Sequence, residues 1–150
     1  MEKRFETFTT TIAKISRNIR KIKSEEVSLI DNELKGPHVS CLYYLFNQGP
    51  LTAKELCNVC DEDKAAVSRA VEYLEDNNYI ECDSKLEKRY KSLLKLTEKG
   101  KIIAKRVYNK VNEVLNFTSL GLTEEKRQLF YENLILISNN LQKYTDNFGV

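Results

Sequence analysis

The constraint that does most to narrow the fold lies between Leu51 and Leu96, where the hydrophobic period changes from helical to alternating within a short stretch. Thr52-Ala53-Lys54-Glu55 has the spacing of a capping box, in which hydroxyl and carboxylate each satisfy a free backbone N–H. It predicts a short helix running to about Cys60. Asp61-Glu62-Asp63 then reads as a turn, with Asp63 as N-cap of a helix from Lys64 to about Asp76. Val67, Ala70, Val71 and Leu74 form that helix's inward face. Asn77-Asn78 ends it, because Asn tolerates the left-handed conformation found at helix ends. Tyr79–Asp83 alternates apolar and polar as a half-buried strand does, and Ser92–Leu96 is a second candidate strand. Ser84–Lys91 would be the polar, basic tip of the hairpin they form.

Helices surround this unit. Phe5, Phe8, Ile12, Ile15, Ile19 and Ile22 recur in steps of three and four, one narrow stripe on a helix of about five turns suited to packing against another helix. Gly36-Pro37 breaks the chain, and a helix from about His38 to Asn47 follows, closed by Gly49-Pro50. Thr97 caps a long helix through about Leu115. After Gly121, Thr123 caps a last one that passes through Phe130, Leu134, Ile137, Leu141 and Tyr144.

Composition excludes several classes. At 41% hydrophobic and 31% charged, the 150 residues fit one globular domain that needs neither metal nor disulfides. No apolar run reaches a membrane span and no signal peptide is expected, so the expected location is the cytoplasm, with reduced thiols and no membrane partner. An enzyme is not expected. There is one His, and there is no Gly-rich phosphate loop, Gly-x-Ser-x-Gly or His-Glu-x-x-His motif. No cofactor is implied. Net charge is only +2, so charge alone does not point to nucleic acid. The basic residues do cluster, at Lys14, Arg17, Arg20, Lys21 and Lys23, which read as a solvated face, and at Lys85, Lys88, Arg89, Lys91 and Lys95.

A short helix, a tight turn, a second helix and then a hairpin is the order of a helix-turn-helix with a wing. In that arrangement the helix from Lys64 presents Lys64, Ala65, Ser68, Arg69 and Tyr73 to the major groove. Arg69 would pair with guanine or phosphate, Ser68 with a base edge or phosphate, and Ala65 would meet a thymine methyl or permit close approach. Lys88, Arg89 and Lys91 would lie along the backbone or enter the minor groove. Asp61 and Asp63 oppose phosphates, although a capping Asp63 spends part of its charge on the helix N-terminus.

Those residues carry a family resemblance. Leu51-Thr52, Glu55-Leu56, Asp63-Lys64-Ala65-Ala66-Val67-Ser68-Arg69, Tyr73-Leu74-Glu75, Tyr79-Ile80, Arg89 and Leu96-Thr97-Glu98-Lys99-Gly100, in this order and spacing, resemble the MarR family of winged-helix regulators. The resemblance is dense from about Leu51 to Gly100. It implies a single MarR-like domain over 1–150, mostly α with a small β-hairpin (α+β). A winged helix-turn-helix part would span about 38–100, and long terminal helices, about 1–35 and 101–150, would interlock two copies. Phe5, Phe8, Ile12, Ile15, Leu134, Ile137 and Leu141 are the expected dimer contacts. The function it implies is that of a repressor, a homodimer on near-palindromic double-stranded DNA, released by a small-molecule effector. Two departures stand out. The wing commonly carries Asp shortly before its Arg residues, where this chain has Glu87 or, one residue shifted, Lys88. Asp61 fills a turn position often occupied by Gly.

Alternatives remain. One is a winged-helix interaction module that binds no DNA; another is a thiol-based redox regulator. Cys57 and Cys60, at i and i+3, read as small buried side chains, and also as a possible thiol sensor, although peroxide-sensing relatives place their reactive Cys in the first helix and this one has none there. With Cys41, Cys82 and His38 scattered in sequence, metal is not expected. His38, at a helix start, fits a hydrogen-bonded structural role, and Tyr43 and Tyr44 fit core or interface positions.

Overall fold

The computed structural model describes residues 2–30, 32–60, 62–82 and 92–149. It is mostly helical, in the order α1 (Glu2–Ile30), α2 (Gly36–Gln48), β1 (Leu51–Thr52), α3 (Ala53–Val59), α4 (Lys64–Asp76), β2 (Ile80–Cys82), β3 (Leu93–Leu96), α5 (Glu98–Thr118) and α6 (Glu124–Asp146), with a short 3-10 helix at Asn147–Gly149. Two compact units divide the chain, residues 1–111 and 112–150. No helix among the described residues is long and apolar enough to cross a membrane.

The first unit is built on the predicted pattern, with three differences. Helix α1 runs 29 residues, well past Ile22, because nothing from Lys23 to Ile30 is Gly or Pro. Gly36-Pro37 opens α2 rather than preceding it: proline's fixed φ suits the first helical turn, where its missing N–H costs nothing. The sheet has a third strand. Leu51 and Thr52 pair antiparallel with Leu94 and Leu93, and β3 pairs on its other side with β2, Ile80 opposite Leu96 and Cys82 opposite Leu94. A two-residue strand is too short to show an alternating pattern.

The core sits where α2, α3, α4 and the sheet meet. Leu42, Leu56, Leu74 and Val67 are fully buried there with Cys41. Burying each Leu stabilises by about 1.5–3 kcal/mol. Both predicted caps close their helices. Thr52 Oγ1 accepts from Glu55 N at 3.2 Å while Glu55 Oε2 accepts from Thr52 N at 2.7 Å. Asp63 Oδ1 accepts from Ala66 N at 2.8 Å. The bonds to Thr52 hold the Glu55 carboxyl below its ordinary range.

In the second unit Gly121 takes φ +82°, and Thr123 Oγ1 accepts from Lys126 N at 3.4 Å to start α6. None of α6's described residues is buried, so Leu129, Phe130, Leu136 and Leu141 lie exposed on it.

Candidate nucleic-acid interface

The turn between α3 and α4 sets which side of α4 faces out. Val67, Ala70, Val71 and Leu74 go into the core, and the remaining arc carries Lys64, Ala65, Ser68 and Arg69, all exposed. The helical period therefore brings these four residues together on the first turns after the Asp63 cap.

Tyr73 does not join them. Its ring stacks on His38 at 4.3 Å between centroids and 9° between planes, and its hydroxyl donates to Glu33 Oε2 at 3.4 Å. The ring turns toward the start of α2 because an aromatic face there finds apolar cover as well as a polar partner for its oxygen. Tyr73 thus anchors α4 rather than reading a groove.

His38 has the structural role expected of it. Its Nδ1 accepts the Lys35 backbone N–H at 3.0 Å, which places the proton of the neutral ring on Nε2. Burial, with Lys35 nearby, holds its pKa below the usual histidine value. Tyr43 packs edge-on against Tyr44 at 5.3 Å and stacks with Tyr108 at 6.1 Å, in keeping with a core or interface position.

The base of the wing is clamped to the end of α4. Asn78 adopts φ +60°, the left-handed residue that ends the helix. Thr97 Oγ1 donates to the Asn78 carbonyl at 2.7 Å and accepts from Gly100 N at 3.0 Å, so one hydroxyl joins the turn to the first turn of α5. Lys99 Nζ donates to the Asn77 carbonyl at 2.9 Å and sits 4.0 Å from the Tyr79 ring centroid, a cation at the negative end of α4. Gly100 packs on the Tyr79 backbone, where a Cβ would lie 2.9 Å from the carbonyl carbon and nearer still to the oxygen. These contacts give a physical reason for Thr97, Lys99 and Gly100 standing together in sequence.

From this base, β2 and β3 lead to the wing. Lys95 and Glu81 face each other across the strands at 3.5 Å. Lys85, Lys88, Arg89 and Lys91, with Glu87 and Asp61, lie outside the described residues.

Of the two cysteines read as small buried side chains, Cys60 is buried and Cys57 is only partly so. Cys57 lies on α3, and Cys60, the C-cap residue of that helix, is buried in the same core cluster as Cys41 of α2. No group of His, Cys, Asp or Glu among the described residues is arranged to hold a metal ion.

A helix-turn-helix whose second helix is exposed at its start, followed by an antiparallel hairpin clamped to that helix's end, defines a winged-helix protein. Residues 33–89 match the model of the MarR family. Comparison with curated protein sequences returned no match. Solved structures with this fold include a MarR family regulator from Neisseria meningitidis, with TM-score 0.80 and 21% identity over 96% of this chain and 97% of that one. A putative MarR family regulator from Listeria monocytogenes, solved with a 26mer DNA, gives 0.78 and 20% over 89% and 87%. Staphylococcus aureus MarR, in complex with salicylate and kanamycin, gives 0.76 and 19% over 95% of each chain.

Proposed function

We propose that this protein is a transcription regulator that binds double-stranded DNA sequence-specifically as a homodimer. The observation that carries the proposal is the exposed arc of Lys64, Ala65, Ser68 and Arg69 on the first turns of α4, backed by a fully packed opposite face. An α-helix presented in this way fits the major groove. Arg69 supplies the bidentate donor suited to guanine or phosphate, Ser68 a hydroxyl, Lys64 a phosphate contact, and Ala65 a surface small enough for close approach. Lys88, Arg89 and Lys91 on the wing add backbone or minor-groove contacts.

Two copies would join through the terminal helices. Phe5, Ile12 and Ile15 on α1, and Ile137 and Leu141 on α6, are exposed in the single chain, with Phe8 and Leu134 half-buried beside them. Apolar faces of this extent are uncommon on a protein that works as a monomer. Twofold symmetry then favours a near-palindromic site with half-sites about one helical turn apart. Repression by promoter occlusion, in the cytoplasm, and release by a small-molecule effector complete the reading. It is supported by the relatives solved with DNA and with salicylate. An effector would act by favouring a different separation of the two α4 helices.

Selection of binding fragments from a random duplex library with the purified protein tests the proposal. Enrichment of an inverted repeat is expected. Recovery of an unbiased pool, or no retention of duplex at low salt, would contradict it.

A further inference from the structure

Helix α4 is held by two kinds of contact. Val67, Ala70, Val71 and Leu74 bury its inner face, and burial of this kind is non-directional. It keeps α4 on the core without fixing the rotation of the helix about its own axis. The Tyr73 ring is different. It lies parallel to the ring of the buried His38, with centroids 4.3 Å apart and planes 9° apart, and its hydroxyl donates to Glu33 Oε2 at 3.4 Å. Arg69 sits one turn before Tyr73 on the same side of the helix, so a rotation that opens the stack also moves Arg69. His38 is itself fixed by the Lys35 N–H on Nδ1 at 3.0 Å, at the corner where the chain passes from α1 into α2.

We infer that His38 and Tyr73 are positioning residues for DNA recognition: their stack sets the rotation of α4 and with it the aim of Arg69, and it holds only while the His38 ring is neutral. This rests on the DNA-binding reading of α4 given above. Neither residue need touch DNA to act in this way.

The neutral ring is the form that fits. It has one acceptor nitrogen, and the Lys35 N–H uses it. A proton on Nδ1 turns that acceptor into a donor facing a donor, and the ring must leave its place against Tyr73. The charged and titratable groups around it come from every neighbouring element. Lys35 and Glu33 precede α2, and Tyr73 comes from α4. Glu62, from the turn before α4, places Oε1 3.9 Å from where a Cβ on Gly36 would lie, and Lys23 of α1 donates to Ser40 Oγ at 3.3 Å. Burial and Lys35 hold the pKa of His38 below the ordinary histidine value, so the ring is neutral at about pH 7.5 and charges only on acidification. The sign of the outcome is diagnostic. A new positive charge on a DNA-binding protein ordinarily tightens its hold on phosphate. Loss of the stack weakens binding instead, and only the part that reads bases.

The test uses the full-length chain at constant ionic strength, at about pH 7.5 and about pH 5.5. Hydrogen exchange of the free protein, corrected for the intrinsic effect of pH, follows peptides of α4. Faster exchange at the lower pH is expected in the wild type and not in His38→Gln, which cannot titrate. Fluorescence anisotropy then compares the selected duplex with a random one. The wild type is expected to lose several-fold in its preference for the selected duplex on acidification. His38→Gln should start lower and show no pH dependence, and Tyr73→Leu should have the reduced preference at both pH values. Tyr73→Phe, which keeps the ring, should retain the preference and its pH dependence. Unchanged α4 exchange, an unchanged or increased preference at low pH, or the same loss in His38→Gln would each overturn the inference. If α4 loosens on acidification but the wild type binds no duplex at either pH, the DNA reading itself fails and the stack has no part in recognition. His38 is the only histidine in the chain, and no other side chain has its ordinary pKa in this window, so the wild-type titration stands even where a variant does not fold.

Discussion

Single residues in this protein act against their usual tendencies, and Gly100 is the clearest case. In a helix interior, Gly→Ala ordinarily stabilises by about 0.5–1 kcal/mol. Here the added methyl would run into the Tyr79 carbonyl, a backbone group fixed by its bond from Thr97 N at 3.1 Å. Overpacking of this kind costs about 1–3 kcal/mol, which outweighs the helical gain. Gly100→Ala should therefore lower the thermal midpoint, and an unchanged or raised midpoint would show that α5 does not sit on Tyr79 as described. His38 makes a second prediction at this scale. Its folded pKa lies below the ordinary 6.5, so the unfolded chain binds more protons through that window. Stability is complete above about 6.5 and falls as pH drops toward the folded pKa, where protonated Nδ1 can no longer accept from Lys35. Urea unfolding at a series of pH values should show this loss in the wild type and a flatter profile in His38→Gln. Equal slopes would exclude His38 as the source.

At the scale of elements, helix starts capped by a side chain were legible in the sequence, while the uncapped start of α2 and the non-local partners were not. Thr52, Asp63 and Thr123 each cap the helix their local sequence announces, because capping needs only residues within one turn. The inward face of α4 followed from its period for the same reason. Strand β1 was missed, since two residues carry no period and its partner Leu94 is 43 positions away. The Tyr73–His38 stack was also missed: it joins elements that only the fold brings together. On α4, Asp63→Ala removes the acceptor for Ala66 N and should cost about 1 kcal/mol. Chemical denaturation should show the loss as a lower midpoint at unchanged m-value. If stability is unaltered, the cap contributes nothing and Asp63 is retained in this chain at a site where it opposes phosphate for no structural return.

At the scale of the whole molecule, the account requires two copies. In the proposed homodimer the second copy would cover the exposed Phe5, Ile12, Ile15, Ile137 and Leu141. Sedimentation equilibrium should give a dimer, and deletion of residues 1–22 should give an aggregated or unstable chain. A soluble, folded monomer that still binds DNA normally would remove the dimer from the account. The most direct measurement of the central claim is salt-dependent binding to the selected duplex by wild type, Arg69→Ala and Arg89→Ala. Arg69→Ala is expected to weaken specific binding, by about 1–3 kcal/mol where a bidentate guanine contact is lost. Arg89→Ala is expected to weaken it and to reduce the magnitude of the log–log salt slope by about one, as loss of one phosphate contact does. If both variants bind like the wild type at every salt concentration, α4 and the wing do not read DNA.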